Sequence, residues 1–81
     1  MGTVSREVRS PSDLGLLLQS ARFEKGLTQR EVAEKLKTTQ SYIWDMERGK
    51  KALFVTRLFR MMRLLGVTMT ISFEVADRAE S

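Results

Sequence analysis

The sequence predicts a mostly α domain of four short helices that runs into a single C-terminal β-strand. Three observations carry this: helix-start signals at "SPSD" and "TQRE", a turn of only three residues, "KTT", between two helical patterns, and strict apolar–polar alternation in "VTMTISFEV". At 81 residues the chain is one domain near the lower limit for folding alone. A chain of that size buries only roughly 60 to 65% of its unfolded surface, so association with another chain would help it.

Residues 1–9 have little apolar content and no sustained period, and are read as a flexible N-terminal arm. Ser10 then caps a helix with Pro11 in its first turn and Asp13 facing the free N–H groups. Leu14, Leu17, Leu18 and Ala21 recur at helical spacing as a core stripe, and Gly26 ends the helix. Thr28-Gln29-Arg30-Glu31 is a capping box, a feature worth about 0.5 to 2 kcal/mol, opening a helix with Val32, Ala33 and Leu36 on its inner face. That helix stops near Lys37. After the turn, Thr39 caps "QSYIWDMER", with Ile43 and Met46 inward and Gly49 closing it. Leu58, Phe59, Met61, Met62 and Leu65 mark a fourth helix, stopped by Gly66. The expected division is an arm at 1–9, a helical domain at 10–66, a strand at 67–75 and a tail at 76–81.

The chain has no cysteine and no histidine, which excludes disulfides, thiolate or His-ligated metal sites and His-based triads. Glu31, Glu34 and Asp45 fall on solvent-facing helix positions with no Gly-rich phosphate loop beside them. No enzyme activity, cofactor, metal or small-molecule ligand is therefore expected. No apolar run approaches the roughly 20 residues that cross a bilayer, and the first ten residues lack a signal-peptide core, so a cytoplasmic protein away from membranes is expected. The net charge of +4 is concentrated: residues 48–63, "RGKKALFVTRLFRMMR", hold six Lys or Arg and no acid. Such a segment suits a phosphate-facing surface, with a solvated helix face as the alternative. For Arg57, Arg60 and Arg63, on one side of the fourth helix, phosphate, partner and solvent all stay open.

Two short helices across a three-residue turn, with small Ala33 in the first and β-branched Ile43 in the second, make a helix-turn-helix. The second helix presents Gln40, Ser41 and Trp44 outward, with Thr39 at its N-terminal end. Gln can bond adenine bidentately, Ser can donate or accept, and an apolar ring can touch a thymine methyl. These four are the base-reading candidates. The stretch "LLLQSARFEKGLTQREVAEKLKTTQSYIWDMERGK" resembles the repressor-type helix-turn-helix of the XRE, or Cro/C1, family, over about residues 10–66. The resemblance implies that Gln29 grips a phosphate, that Gln40 reads a base, and that Arg22 and Glu47 form a structural ion pair. Arg48, Lys50 and Lys51, after the second of the two helices, are further phosphate candidates. The chain departs from the family at Lys37 and Thr38, where Gly and an aliphatic residue are usual, and at Trp44, where a small polar residue is usual.

A lone strand must satisfy its backbone elsewhere. Antiparallel pairing with the same strand of a second copy would do so, placing Val67, Met69, Ile71 and Phe73 at a homodimer interface. The alternative is pairing with residues 3–9 of the same chain. A two-fold dimer also suits a palindromic operator in double-stranded DNA, with half-sites about one helical turn apart. Together "SPSDL", the helix-turn-helix and "LLGVTMTIS" resemble the HipB antitoxins of HipBA-type toxin–antitoxin systems. That resemblance implies a homodimer closed by a small sheet, a HipA-like kinase as toxin partner, and repression of its own operon. Leu16 and Phe23 lie off the core stripe of the first helix. They are candidate contacts for a partner protein or for a covering terminus. A stand-alone repressor, of phage or restriction–modification type, is the alternative function, and an adaptor for an acidic protein is a third.

Overall fold

The computed structural model describes residues 2–76. The chain runs β1 (Gly2–Val8), α1 (Pro11–Glu24), α2 (Gln29–Leu36), α3 (Gln40–Glu47), α4 (Leu53–Leu65) and β2 (Met69–Val75). The expected caps start three of the helices. The Asp13 N–H donates to Ser10 Oγ at 3.1 Å, and the Tyr42 N–H to Thr39 Oγ1 at 3.1 Å. At α2 both halves of the box form, Glu31 N–H to Thr28 Oγ1 at 3.0 Å and Thr28 N–H to Glu31 Oε1 at 2.9 Å. In the turn between α2 and α3, Lys37 itself adopts the left-handed conformation, with φ 57° and ψ 46°. The Thr38 N–H reaches Ala33 O at 2.9 Å and the Lys37 N–H reaches Glu34 O at 3.2 Å, so the turn has the shape a glycine would give it.

The core lies where α1 and α4 meet the sheet. Val8, Phe59 and Met62 are buried together, with Leu14, Leu17, Val55, Leu58, Met69 and Ile71 packed around them. Ala33 and Ile43 are buried too, on the paired helices α2 and α3. A Cβ on Gly15 would lie 2.6 Å from the Glu47 carbonyl carbon and 2.7 Å from Met46 O, so at this point α1 passes directly against the backbone of α3. Only a residue without a side chain permits that approach.

Residues 2–8, expected as a mobile arm, are a strand. β1 pairs antiparallel with β2 from Gly2↔Val75 to Val8↔Met69, so the partner of the C-terminal strand comes from its own chain. Val4 and Val8, too sparse to suggest a strand on their own, share a face with Met69, Ile71 and Phe73, and that face covers α1. Met69 and Ile71, expected at a dimer interface, are thus spent inside the chain, and Phe73 lies half-buried on the same face. Val67 lies outside β2 altogether; its N–H closes the end of α4 by bonding Met62 O at 2.8 Å. The end of the sheet is tied to α1 by the Ala76 N–H, which donates to the Glu24 carboxylate at 3.2 Å. Apart from Ala76, the expected tail lies outside the described residues.

Several residues expected in the core are exposed: Leu18, Leu36 and Met46. Helical spacing marks an apolar stripe but not whether another element reaches it, and α2 lies against α3 alone among the described elements. The same shortage of cover leaves one side of α4 bare. Leu53, Phe54, Met61, Leu64 and Leu65 are exposed there, Phe54 to 79% and Leu64 to 84%. The molecule is a slab of 45 × 29 × 15 Å with a radius of gyration of 14.3 Å. A compact chain of this length has about 12 Å.

Candidate nucleic-acid interface

The outward face of α3 is held in place from beneath by one buried carboxylate. Glu47, the last residue of α3, is 5% exposed and accepts from three side chains on two other helices. Arg22 on α1 donates from Nε to Oε2 at 2.6 Å and from Nη2 to Oε1 at 3.0 Å, a bidentate pair. Gln29 at the start of α2 donates to Oε1 at 3.0 Å, and Gln19 on α1 donates to the same oxygen at 3.3 Å. Arg22 spends its remaining nitrogen on Leu27 O at 2.9 Å, in the loop before α2. Burial pushes the Glu47 carboxyl up, but the bonds from Arg22 and Gln29, the Arg22 charge and the bond from Gln19 outweigh it and hold the group below the ordinary carboxylate range. The bond to Glu47 in turn raises Arg22, so the pair stays charged. α1 and α2 are thereby locked to the base of α3.

Above this hub, Gln40, Ser41 and Tyr42 are exposed, and Trp44 is 40% exposed. Thr39 stands at the N-terminal end with its oxygen engaged as the helix cap and its hydroxyl proton free to donate outward. The four base-reading candidates therefore share one end and one side of a short, rigid helix. Tyr42 was not among the candidates, yet its ring is exposed on the same helix. Its position one residue before the buried Ile43 places it off the inner face.

The phosphate candidates divide into two groups. Arg48, Lys50 and Lys51 gather at the C-terminal end of α3: the Arg48 guanidinium stacks on the Trp44 ring at 4.1 Å, the Lys50 ammonium lies over the same ring at 5.5 Å, and Lys51 pairs with Asp45 at 3.3 Å. Gln29 is not with them. One of its amide protons is committed to Glu47, which leaves the second proton and the carbonyl for any outside contact. Gln19, the third donor to Glu47, went unnoticed in the sequence, since a polar residue beside a core stripe carries no mark of a buried partner. Leu16 and Phe23 are both exposed on α1, and the Arg22 guanidinium covers the Phe23 ring at 4.5 Å.

Comparison with known proteins gives the same fold a family. A model described as a helix-turn-helix domain matches residues 13–70, which spans α1 to the start of β2. The chain belongs to that helix-turn-helix family. Among its relatives are two proteins of Sinorhizobium fredii, both described as uncharacterised HTH-type transcriptional regulators. The chain is 26% identical to y4mF over 68 residues, covering 84% of this chain and 90% of the relative. It is 40% identical to y4dJ over 47 residues, or 58% of this chain and 61% of that one. No solved structure gives a significant match. The matched stretch includes α2, α3 and the three-residue turn 37–39 between them.

Proposed function

We propose that this protein is a sequence-specific DNA-binding transcriptional repressor that acts as a two-fold homodimer. The observation that carries it is the Glu47 hub, which holds α3 rigidly with Thr39, Gln40, Ser41 and Trp44 presented together and basic residues at its end. Support for the dimer comes from two further features. The outer edge of β2 carries no strand among the described residues, so pairing with a second β2 would extend the sheet from two strands to four. The bare apolar side of α4, with Leu53, Phe54, Met61, Leu64 and Leu65 all exposed, is the kind of contiguous patch that marks an association surface. Within this function, the likeness of "SPSDL" and "LLGVTMTIS" to HipB supports an antitoxin that binds a HipA-like kinase through Leu16 and Phe23 and represses its own operon.

Binding to a duplex selected from a random pool, measured between 50 and 200 mM salt, tests the repressor. Affinity should fall steeply, with slope about −0.9 for each phosphate engaged, and the selected sites should be palindromes with half-sites about one turn apart. A flat salt response would sink the proposal. For the antitoxin role, purification of the tagged protein from its host with nuclease present should recover a kinase in equal amount, and Phe23→Glu should lose it. Recovery of the homodimer alone would favour a stand-alone repressor.

A further inference from the structure

Trp44 occupies a position where a large ring has no packing need. It is 40% exposed on the outer side of α3, yet its face carries two cations, Arg48 at 4.1 Å and Lys50 at 5.5 Å. The chain is bent to bring them there. Arg48 lies four residues on, an ordinary helical distance, but Lys50 lies six on and reaches the ring only because the backbone reverses at Gly49, where φ is +69°. The Gly49 N–H bonds Met46 O at 3.1 Å and the Lys50 N–H bonds Asp45 O at 2.8 Å, which folds the loop back over the last turn of α3. Asp45, next to Trp44, takes the third cation, Lys51, at 3.3 Å.

We infer that Trp44 is a positioning residue: with Asp45 it gathers Arg48, Lys50 and Lys51 into one preformed grip for a backbone phosphate of duplex DNA beside the bases that α3 reads. The inference rests on the DNA-binding reading above and changes the part Trp44 plays in it. Free Lys and Arg side chains lose rotamer freedom on seizing a phosphate; here the indole face and a carboxylate have already confined them. The aromatic quadrupole attracts a cation without neutralising it, so the charge offered to phosphate is kept. An acid in place of the ring would hold Arg48 and Lys50 equally well and cancel them, as Asp45 does for Lys51. The net charge of the grip therefore rests on the two cations over the ring.

The test compares Trp44→Ala, Trp44→Tyr and Arg48→Met on two probes, a duplex selected by the wild-type protein and a scrambled duplex of the same length. Each cation–ring contact at an exposed site is worth a factor of about two to five, so Trp44→Ala should weaken both duplexes alike by roughly tenfold. It should also flatten the salt slope by about one phosphate contact per subunit, and Trp44→Tyr should restore most of both. Loss confined to the selected duplex, with the salt slope unchanged, overturns the inference and makes Trp44 a base reader. A wild-type protein that binds neither duplex at 50 mM salt overturns the DNA-binding reading and this one with it, an outcome distinct from the last because there the wild type binds. The emission of the chain's single tryptophan gives a readout without DNA. Arg48→Met should shift it, and an unchanged spectrum overturns the stack itself.

Discussion

At the scale of single residues, stability and function meet at Glu47. Its carboxylate is buried and takes four hydrogen bonds from three side chains, so removal of the charged partner leaves an uncompensated buried charge. Arg22→Ala should cost about 3 to 5 kcal/mol, a large part of the roughly 4 to 12 kcal/mol expected for a domain this size. Thermal unfolding should show the variant largely unfolded at 37 °C, and its loss of DNA binding should follow from that. The same group sets an acid limit. The folded state holds the Glu47 carboxyl below its ordinary 4.5, so the unfolded chain binds that proton more readily and stability rises with pH through this range. The contribution is complete above about pH 5 and is lost as pH falls through the lowered folded value. Melting curves from pH 7 to pH 3 should therefore fall on the acid side. Glu47→Gln should start lower at pH 7 and fall less, the remainder coming from Glu31, whose capping bonds with Thr28 lower it too. An undiminished acid fall in Glu47→Gln would assign the effect to other carboxylates.

At the scale of elements, the turn between α2 and α3 shows geometry overruling residue preference. Lys37 occupies a left-handed position that an L side chain enters at a cost of about 1 to 2 kcal/mol, because both backbone bonds of the turn demand it. Lys37→Gly should raise stability by about 1 kcal/mol, read as a higher denaturant midpoint at unchanged slope, with DNA affinity little altered. The helices themselves were legible because their signals are local: Ser10, Thr28 and Thr39 each cap what they promise, and the Arg22–Glu47 pair sits where the family pattern puts it. β1 was not legible. Its evidence is only Val4 and Val8, and the face they complete is built by residues more than sixty positions away. A strand whose partner lies at the other end of the chain has no local signature beyond its own alternation, and here polar residues dilute that alternation. For the same reason Leu36 and Met46 misled, since a stripe records where burial is possible and only the tertiary layout decides whether cover arrives. In the candidate interface the residues of α3 could be read from the helical wheel, while the folding of Lys50 back onto Trp44 depends on a reversal at Gly49 that spacing alone does not reveal.

At the scale of the whole molecule, the shape leaves one apolar side of α4 without cover. A slab 15 Å thick has room for one layer of helices against the sheet and none to cover the far side of α4. That side carries Leu53, Phe54, Met61, Leu64 and Leu65, while Val55, Phe59 and Met62 further round serve the core, so the apolar arc of α4 is wider than the core covers. The uncovered part of such an arc is the part left for another surface. Arg57 sits among Leu53, Phe54 and Met61 within that side, while Arg60 and Arg63 lie across the helix from it. Because Phe54 and Leu64 contribute little to the monomer, charge placed there tests association without damaging the fold, which Ile71→Lys on the core face of β2 would not do. Phe54→Glu and Leu64→Glu should keep the wild-type circular dichroism and melting behaviour at low concentration, and should sediment as monomers at concentrations where the wild type is a dimer. DNA affinity should then fall by more than tenfold, since each recognition helix would have to bind its half-site without its mate. Dimers that persist in both variants would move the association to the free edge of β2, where the backbone rather than the α4 side chains would hold the copies together.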